Sequence, residues 1–105
     1  MPLPPLTDDA RRAALDKAIS ARKLRAEMKQ RLKSGEIGLH EVLDRASNDE
    51  VIAKTRVSEV LEAMPKVGRV RARRLMERLD ISSSRTLRGL GVNQRERLLA
   101  EFSKR

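Results

Sequence analysis

The 105-residue chain contains no cysteine, tryptophan or tyrosine, and it has one histidine, His40, and one aromatic residue, Phe102. Without cysteine there is no disulfide, no thiolate metal site and no thiol nucleophile, and nothing in the composition suggests secretion. A lone histidine does not make a zinc or paired-histidine centre, so no metal or other cofactor is expected. With one aromatic side chain, the stacking platforms that read single-stranded nucleic acid cannot be assembled. No apolar run approaches the ~20 residues needed to cross a bilayer. The N-terminus carries Asp8 and Asp9 where a secretory leader would be basic and then apolar. A soluble intracellular protein is the expectation.

What is abundant is positive charge. Lysine and arginine number 24 against 15 acids, a formal net charge of +9. Seventeen of those cations are arginine, whose planar fork suits bidentate contact with phosphate. Such an excess points to a polyanion, and duplex backbone survives the filter that the missing aromatics impose. Leucine, isoleucine, valine and phenylalanine make up 26 of the 105 residues, about a quarter. That exceeds the roughly 20% below which charged chains stay disordered. One small domain with a thin core is affordable; two are not.

The charge is unevenly spread. Residues 1–35 carry net +5, residues 36–62 net −4 and residues 63–105 net +8, so the middle resembles scaffold and the flanks resemble binding surface. Pro2, Pro4 and Pro5 predict an extended arm over residues 1–6. Thr7 can cap a helix with Asp8 and Asp9 in its first turn, and no Gly or Pro interrupts residues 7–34 before Gly35. Leu24, Met28 and Leu32 recur at a spacing of four and can reach a core, whereas the earlier half offers mostly alanine with Leu15 and Ile19. Arg22, Arg25, Lys29 and Lys33 share one side of this helix, as a solvated face or as a binding stripe. Such a face, mainly alanine on its apolar side, is too weak to bury in a lipid surface.

Further helices are expected at residues 39–46, 57–63 and 69–79, and a last one is opened by Asn93 with Glu96 as a capping-box variant. Residues 47–56 read as polar with a small apolar insertion at Val51 and Ile52. In the third of these helices Ala72, Leu75, Met76 and Leu79 form the core stripe, with Arg71, Arg74 and Arg78 opposite. The last packs Leu98, Leu99 and Phe102 inward. No alternating strand pattern occurs, and the fold class is therefore all-α. A helical domain over residues 39–105 follows the long basic helix.

The most informative stretch is Leu61-Glu-Ala-Met-Pro-Lys-Val-Gly-Arg-Val-Arg-Ala72. Pro65 stops one helix and Val67-Gly68 turns the chain straight into the next. The first amides of a helix lack partners and carry the positive end of its dipole, so this corner is a ready anion site. Gly68 leaves room for close approach, and Lys66 and Arg69 flank it.

This stretch resembles the helix-hairpin-helix pattern apolar-Pro-Gly-apolar-Gly-x-x-x-Ala, with Lys66 standing at the first hairpin glycine. Read on through Ile81-Ser-Ser-Ser-Arg-Thr-Leu-Arg-Gly-Leu-Gly91 and the final helix, it resembles a helix–two-turn–helix module at about residues 57–102. That module is shared by a small-subunit ribosomal protein, formamidopyrimidine-type DNA glycosylases and the actinobacterial integration host factors. Leu3-Pro-Pro-Leu-Thr7, the Ala/Arg-rich first helix, Pro65-Lys-Val-Gly68 and Leu87-Arg-Gly-Leu-Gly91 occur in the order of the last family and at its length.

The resemblance implies a nucleoid-associated protein that binds and bends double-stranded DNA, with some relatives aiding phage integration. By resemblance, the turn Met64, Pro65, Lys66, Val67, Gly68, Arg69, Val70 and Arg71 grips backbone. A lid with Arg85, Arg88, Gly89, Gly91 and Asn93 does the same, and Arg22, Arg25, Lys29 and Arg73 are further candidates. Thr86 stands where relatives often carry another lid arginine. The family also suggests topoisomerase I or a phage integrase as a protein partner, and a place in the cytoplasm, on the nucleoid. Phosphate contacts position without reading bases, so low sequence specificity follows, with Asn93 and Gln94 as weak base-reading candidates. Two other readings are weighed. A ribosomal RNA-binding role is the first, although the ribosomal relative carries its module near the N-terminus and then a long basic tail. Glycosylase chemistry at Pro2 is the second, but it lacks the neighbouring acid and the cysteine zinc module; no catalysis and no catalytic residue are expected.

Overall fold

The computed structural model describes residues 7–103, so the expected arm at residues 1–6 lies outside the described residues. Six helices follow one another: α1 Asp8–Ser34, α2 Leu39–Ala46, α3 Glu50–Ala53, α4 Val57–Ala63, α5 Gly68–Arg78 and α6 Val92–Ser103. No strand occurs among the described residues, and one isolated antiparallel bridge joins Arg56 to Thr86. No described helix is long and apolar enough to cross a membrane.

Local chemistry sets the ends. The Thr7 hydroxyl accepts from the Ala10 amide at 3.1 Å, and Asp8 and Asp9 sit in the first turn of α1, satisfying an orphan donor and the dipole together. At the far end Gly35 adopts φ 82°. Its amide and that of Glu36 bond back to Leu32 (3.2 Å) and Arg31 (2.9 Å), a paired closure of the last turn. The same closure ends α5, where Asp80 at φ 57° lets the Ile81 amide reach the Met76 carbonyl at 2.8 Å.

Two expectations are corrected. The polar stretch 47–56 contains the one-turn helix α3, because Asp49 Oδ1 accepts from the amides of Val51 (2.9 Å) and Ile52 (3.3 Å) and so caps a turn that buries Ile52 and Ala53. Helix α6 begins at Val92, with Asn93 inside it. The Gly91 carbonyl receives the first intrahelical bond, from Arg95 at 2.9 Å, and Gln94 Oε1 accepts from the Gly91 amide at 3.2 Å. Gln94 is thus the reaching-back half of the cap expected from Asn93 and Glu96. Its amide nitrogen also donates to the Asp80 carbonyl at 3.0 Å, tying α6 to the end of α5.

The core is aliphatic and continuous. Met28 and Leu32 from α1, Val42 and Leu43 from α2, Ile52 from α3, Val57, Val60 and Leu61 from α4, Leu75 and Met76 from α5, and Leu98 from α6 form one cluster. Leu99 and Phe102, expected to point inward, are half-buried against it. Helix α1 reaches this core with its C-terminal part alone. Residues 11–20 are exposed, Leu15 and Ile19 by 60% and 53%. The molecule is accordingly long, 55 × 32 × 25 Å, and its radius of gyration of 16.2 Å exceeds the ~13 Å of a compact domain of this size.

Leu98 is fully buried and is the one residue of α6 with no exposed surface. Leu98→Ala removes the plug that holds α6 to the core. It is expected to lower the unfolding free energy by about 2–5 kcal/mol, measured by urea denaturation.

Candidate nucleic-acid interface

The corner between α4 and α5 is built on two residues of left-handed backbone. Helix α4 stops at Met64, which turns extended with ψ 144° ahead of Pro65, as a residue before proline tends to. Lys66 then takes φ 64° and Gly68 φ 70°. Glycine holds such a φ without strain, whereas for lysine it costs about 1–3 kcal/mol. Lys66 occupies the place of the missing hairpin glycine, and its backbone takes up a glycine conformation. A Cβ built on Gly68 would meet no atom within 4 Å, so the space in front of the corner is open.

Helix α5 starts there with no side-chain cap and no acid in its first turn. The first amides of a helix have no partner within it, and they carry the positive end of its dipole. An anion lodged at this corner would satisfy both. Of the turn residues expected to act there, Pro65, Lys66, Gly68, Arg69, Val70 and Arg71 are exposed. Val67 is corrected: it is 8% exposed and packs into the core, so it serves the corner through its backbone. Met64 is half-buried.

The arginines of α5 divide between two grooves. Arg69 and Arg73 line one of about 330 Å³ together with Ser58 and Glu62 of α4 and with Ser83 at the start of the lid. Arg71, Arg74 and Arg78 line another beside α6, of about 170 Å³, where Arg78 pairs with Glu101 at 2.6 Å. Arg73, offered by the sequence as a lesser candidate, therefore shares the groove that runs from Arg69 to the lid. Arg71, offered as part of the turn, faces the opposite side of α5.

The lid is stitched to the junction of α3 and α4. Val57 donates its amide to the Arg85 carbonyl (2.9 Å), Leu87 to that of Thr55 (3.0 Å), and Arg88 to that of Ala53 (2.9 Å). Thr55 is 1% exposed and its hydroxyl donates to the Val51 carbonyl at 2.9 Å, and among the described residues no buried side-chain polar atom is left unpaired. Leu87 anchors the lid in the core at 5% exposure. Arg85 folds over the loop and donates to the Gly89 carbonyl at 3.1 Å. A Cβ on Gly89 would lie 2.9 Å from Arg85 Cδ, so this glycine makes room for the arginine. Gly91 belongs to the cap of α6, and Asn93 stands exposed in its first turn.

Arg85 and Arg88, expected to act as one clamp, sit in different grooves. Arg85 lies among Ser82, Ser84, Thr86 and Gly89. Arg88 lies with Leu43, Ala46, Ser47 and Arg95. On α1, Arg22 is exposed while Arg25 and Lys29 are half-buried against the scaffold. His40 pairs with Asp44 at 3.2 Å, and Asp44 also receives Arg95 at 2.8 Å, joining α2 to α6. Both pairs are exposed and of small energetic weight.

Two cations near the lid were not found by reading the sequence. Lys54 pairs with Glu50 at 3.0 Å. The bond and charge of Lys54, then the charges of Arg88 and Lys17, hold the Glu50 carboxyl below the usual glutamate value of 4.5. No linear signal links residues 17, 50 and 88. Lys66, Arg69, Arg73 and Arg88 make no ion pair with another described residue. Among the described residues no cluster of His, Cys, Asp or Glu could hold a metal ion.

Comparisons with known proteins identify relatives of the chain. Residues 32–102 match the model of the S13-like H2TH domain family. The chain is 54% identical over 102 residues to the integration host factor of Mycolicibacterium smegmatis and to that of Mycobacterium tuberculosis, a span of 97% of this chain and 97% of each relative. The integration host factor of Streptomyces coelicolor is likewise 54% identical, over 97% of this chain and 95% of its own. A solved structure of sIHF bound to an 8-bp palindromic DNA superposes with a TM-score of 0.81 at 52% identity, covering 83% of this chain and 98% of that one.

Lys66→Gly separates the two properties of the corner. Relief of the left-handed strain is expected to raise unfolding free energy by about 0.5–1 kcal/mol in denaturant titration, net of the greater freedom of the unfolded glycine. Loss of the cation is expected to weaken polyanion binding by the same protein. A variant that is both less stable and equally avid contradicts this account of Lys66.

Proposed function

Because the chain belongs to the actinobacterial integration host factor family, built on the S13-like H2TH domain, we propose that it is a nucleoid-associated protein that binds double-stranded DNA through the phosphate backbone. The observation that carries this reading is the uncapped N-terminus of α5, opened by Gly68 and flanked by Lys66 and Arg69. The homologous sIHF is bound to duplex DNA in its solved structure. The ribosomal reading has no comparable support.

Two places grip the backbone. At the corner, the first amides of α5 donate to a phosphate and Lys66 and Arg69 add charge-assisted bonds. The groove lined by Arg69 and Arg73 includes Ser83, whose chain neighbours Ser82 and Ser84 lie with Arg85 in a second groove on the lid, and successive phosphates would follow that direction. Arg85 is held by the Gly89 carbonyl, so part of its ordering is complete before DNA arrives. Thr86, half-buried and tied to Arg56 by the bridge, contributes no charge. The exposed Arg56 stands beside it.

Contacts of this kind fix orientation and carry no base sequence. Sequence preference then arises from DNA shape and flexibility. Gln94 is spent on the cap of α6 and the Asp80 carbonyl, so it is not free to read adenine; Asn93 remains exposed. Bending and compaction follow if one duplex is held at both the corner and the lid. A contribution to site-specific recombination, a partnership with topoisomerase I or an integrase, and residence on the nucleoid in the cytoplasm come from the family alone.

The test is the salt dependence of binding to duplex DNA. Arg85→Ala/Arg88→Ala is expected to weaken binding clearly and to make the slope of log K against log [salt] shallower by about 2. Retention of the wild-type slope would remove the lid from the interface. Equal or preferred binding of structured RNA would favour the ribosomal reading.

A further inference from the structure

Arg56 stands at a position where helix chemistry gives no reason for an arginine. It is the N-cap of α4, with extended backbone at φ −70° and ψ 142°, and its side chain makes no capping bond. Serine, threonine, aspartate or asparagine would cap there, and a cation opposes the positive end of the helix dipole. A residue that breaks a local rule with no local gain is expected at functional positions. Arg56 is exposed and makes no ion pair with another described residue. Glu59, three residues on and the nearest acid in sequence, does not engage it.

The backbone fixes where that side chain sits. Val57 donates its amide to the Arg85 carbonyl at 2.9 Å, and Leu87 donates to the Thr55 carbonyl at 3.0 Å. These bonds flank the antiparallel bridge between Arg56 and Thr86, which makes the two a non-hydrogen-bonded pair. Such a pair is the narrow kind, with Cα atoms about 4.5 Å apart and side chains adjacent. Arg56 therefore leaves α4 beside Thr86, which lines the lid groove with Arg85 and Gly89. The Val57 amide is spent on this tie, so the feature is a side chain held by the bridge and not a helix terminus. Helix α4 acts as a spacer, its seven residues putting about 10 Å between Arg56 and the corner at Met64. A duplex covers that distance in about three base-pair steps, so one duplex can reach both.

We propose that Arg56 is a phosphate contact of the lid, supplied across the bridge from α4, with the Thr86 hydroxyl beside it as a second donor to the same phosphate. The contact rests on the duplex-binding reading above and adds to it a cation from outside the lid. Residues 36–62 carry net −4 and only three basic side chains, Arg45, Lys54 and Arg56. Lys54 is engaged with Glu50, whereas Arg56 is carried to the binding side with its charge unspent. Guanidinium and hydroxyl donors to phosphate position a duplex without reading its bases, so this contact adds affinity and salt dependence and no sequence preference.

The experiment moves one charge about the surface of the full chain. Binding to a DNA duplex is read by fluorescence anisotropy at several salt concentrations, and stability by urea denaturation. Arg56→Ala is expected to weaken binding about threefold to tenfold and to make the salt slope shallower by about 1, with the urea midpoint unchanged. Arg56→Ala/Thr86→Arg returns the cation to the other member of the narrow pair. It should restore the slope and bring affinity within about twofold of the unsubstituted chain. Arg56→Ala/Ser34→Arg has the same net charge with the cation at the end of α1, and should restore neither. Unchanged affinity and slope in Arg56→Ala overturn the proposal. Equal recovery by both double variants, or recovery by neither, overturns it too. So does a fall in urea midpoint that accompanies the loss of binding and persists in Arg56→Ala/Thr86→Arg, which assigns Arg56 to folding. Failure of the unsubstituted chain to bind the duplex would instead bring down the DNA-binding reading itself.

Discussion

Two consecutive backbone reversals, at Lys66 with φ 64° and Gly68 with φ 70°, set the direction in which α5 leaves α4, and the rest of the surface takes its bearings from that angle. With α5 so placed, Ala72, Leu75 and Met76 face the core and the first amides of the helix face the open space before Gly68. The same rotation divides the arginines of α5 between the lid side and the α6 side. Holding a lysine in a left-handed conformation is tolerable because Val67 beside it is buried and Met64 and Pro65 fix the approach.

The energetic division of labour follows from composition. Stability comes from an aliphatic core drawn from all six helices, with no fully buried charge and no unpaired buried polar side chain among the described residues. Among the described residues the ion pairs are few and, apart from half-buried Glu101 with Arg78, exposed, so most cations are not engaged in holding the fold together. A net charge of +9 works against the compact state through self-repulsion, and binding a polyanion relieves it. The long free half of α1 is the extreme case. It buries little, so little of its helix is supported by packing, and an isolated helix of that length is marginal in water.

Much of this architecture was legible in the linear sequence, and the reasons are local. Thr7 with Asp8 and Asp9, Gly35, and Pro65 with Gly68 mark helix ends through chemistry confined to a few neighbours. The stripe of Ala72, Leu75 and Met76 carries its period openly. Helix α3 was missed because one turn has no period to detect; the signal that could have found it was Asp49 two and three residues before Val51 and Ile52. The start of α6 was misplaced because Asn93 looked like the cap, whereas Gln94 performs it from inside the helix. The site was legible in part. The corner could be read because it is contiguous. The separation of Arg85 from Arg88 could not, since it depends on bonds from the lid to Ala53, Thr55 and Val57, some thirty residues distant in the chain.

The account stands on phosphate meeting the bare amides of the α4–α5 corner. Amide NMR of isotopically labelled protein, titrated with duplex DNA, observes those groups one by one. The account predicts that the amides of Gly68, Arg69 and Val70 show the largest shifts in the chain and become the slowest to exchange with solvent in their turn. Unmoved resonances at these three positions, with the changes gathered elsewhere on the surface, would contradict it.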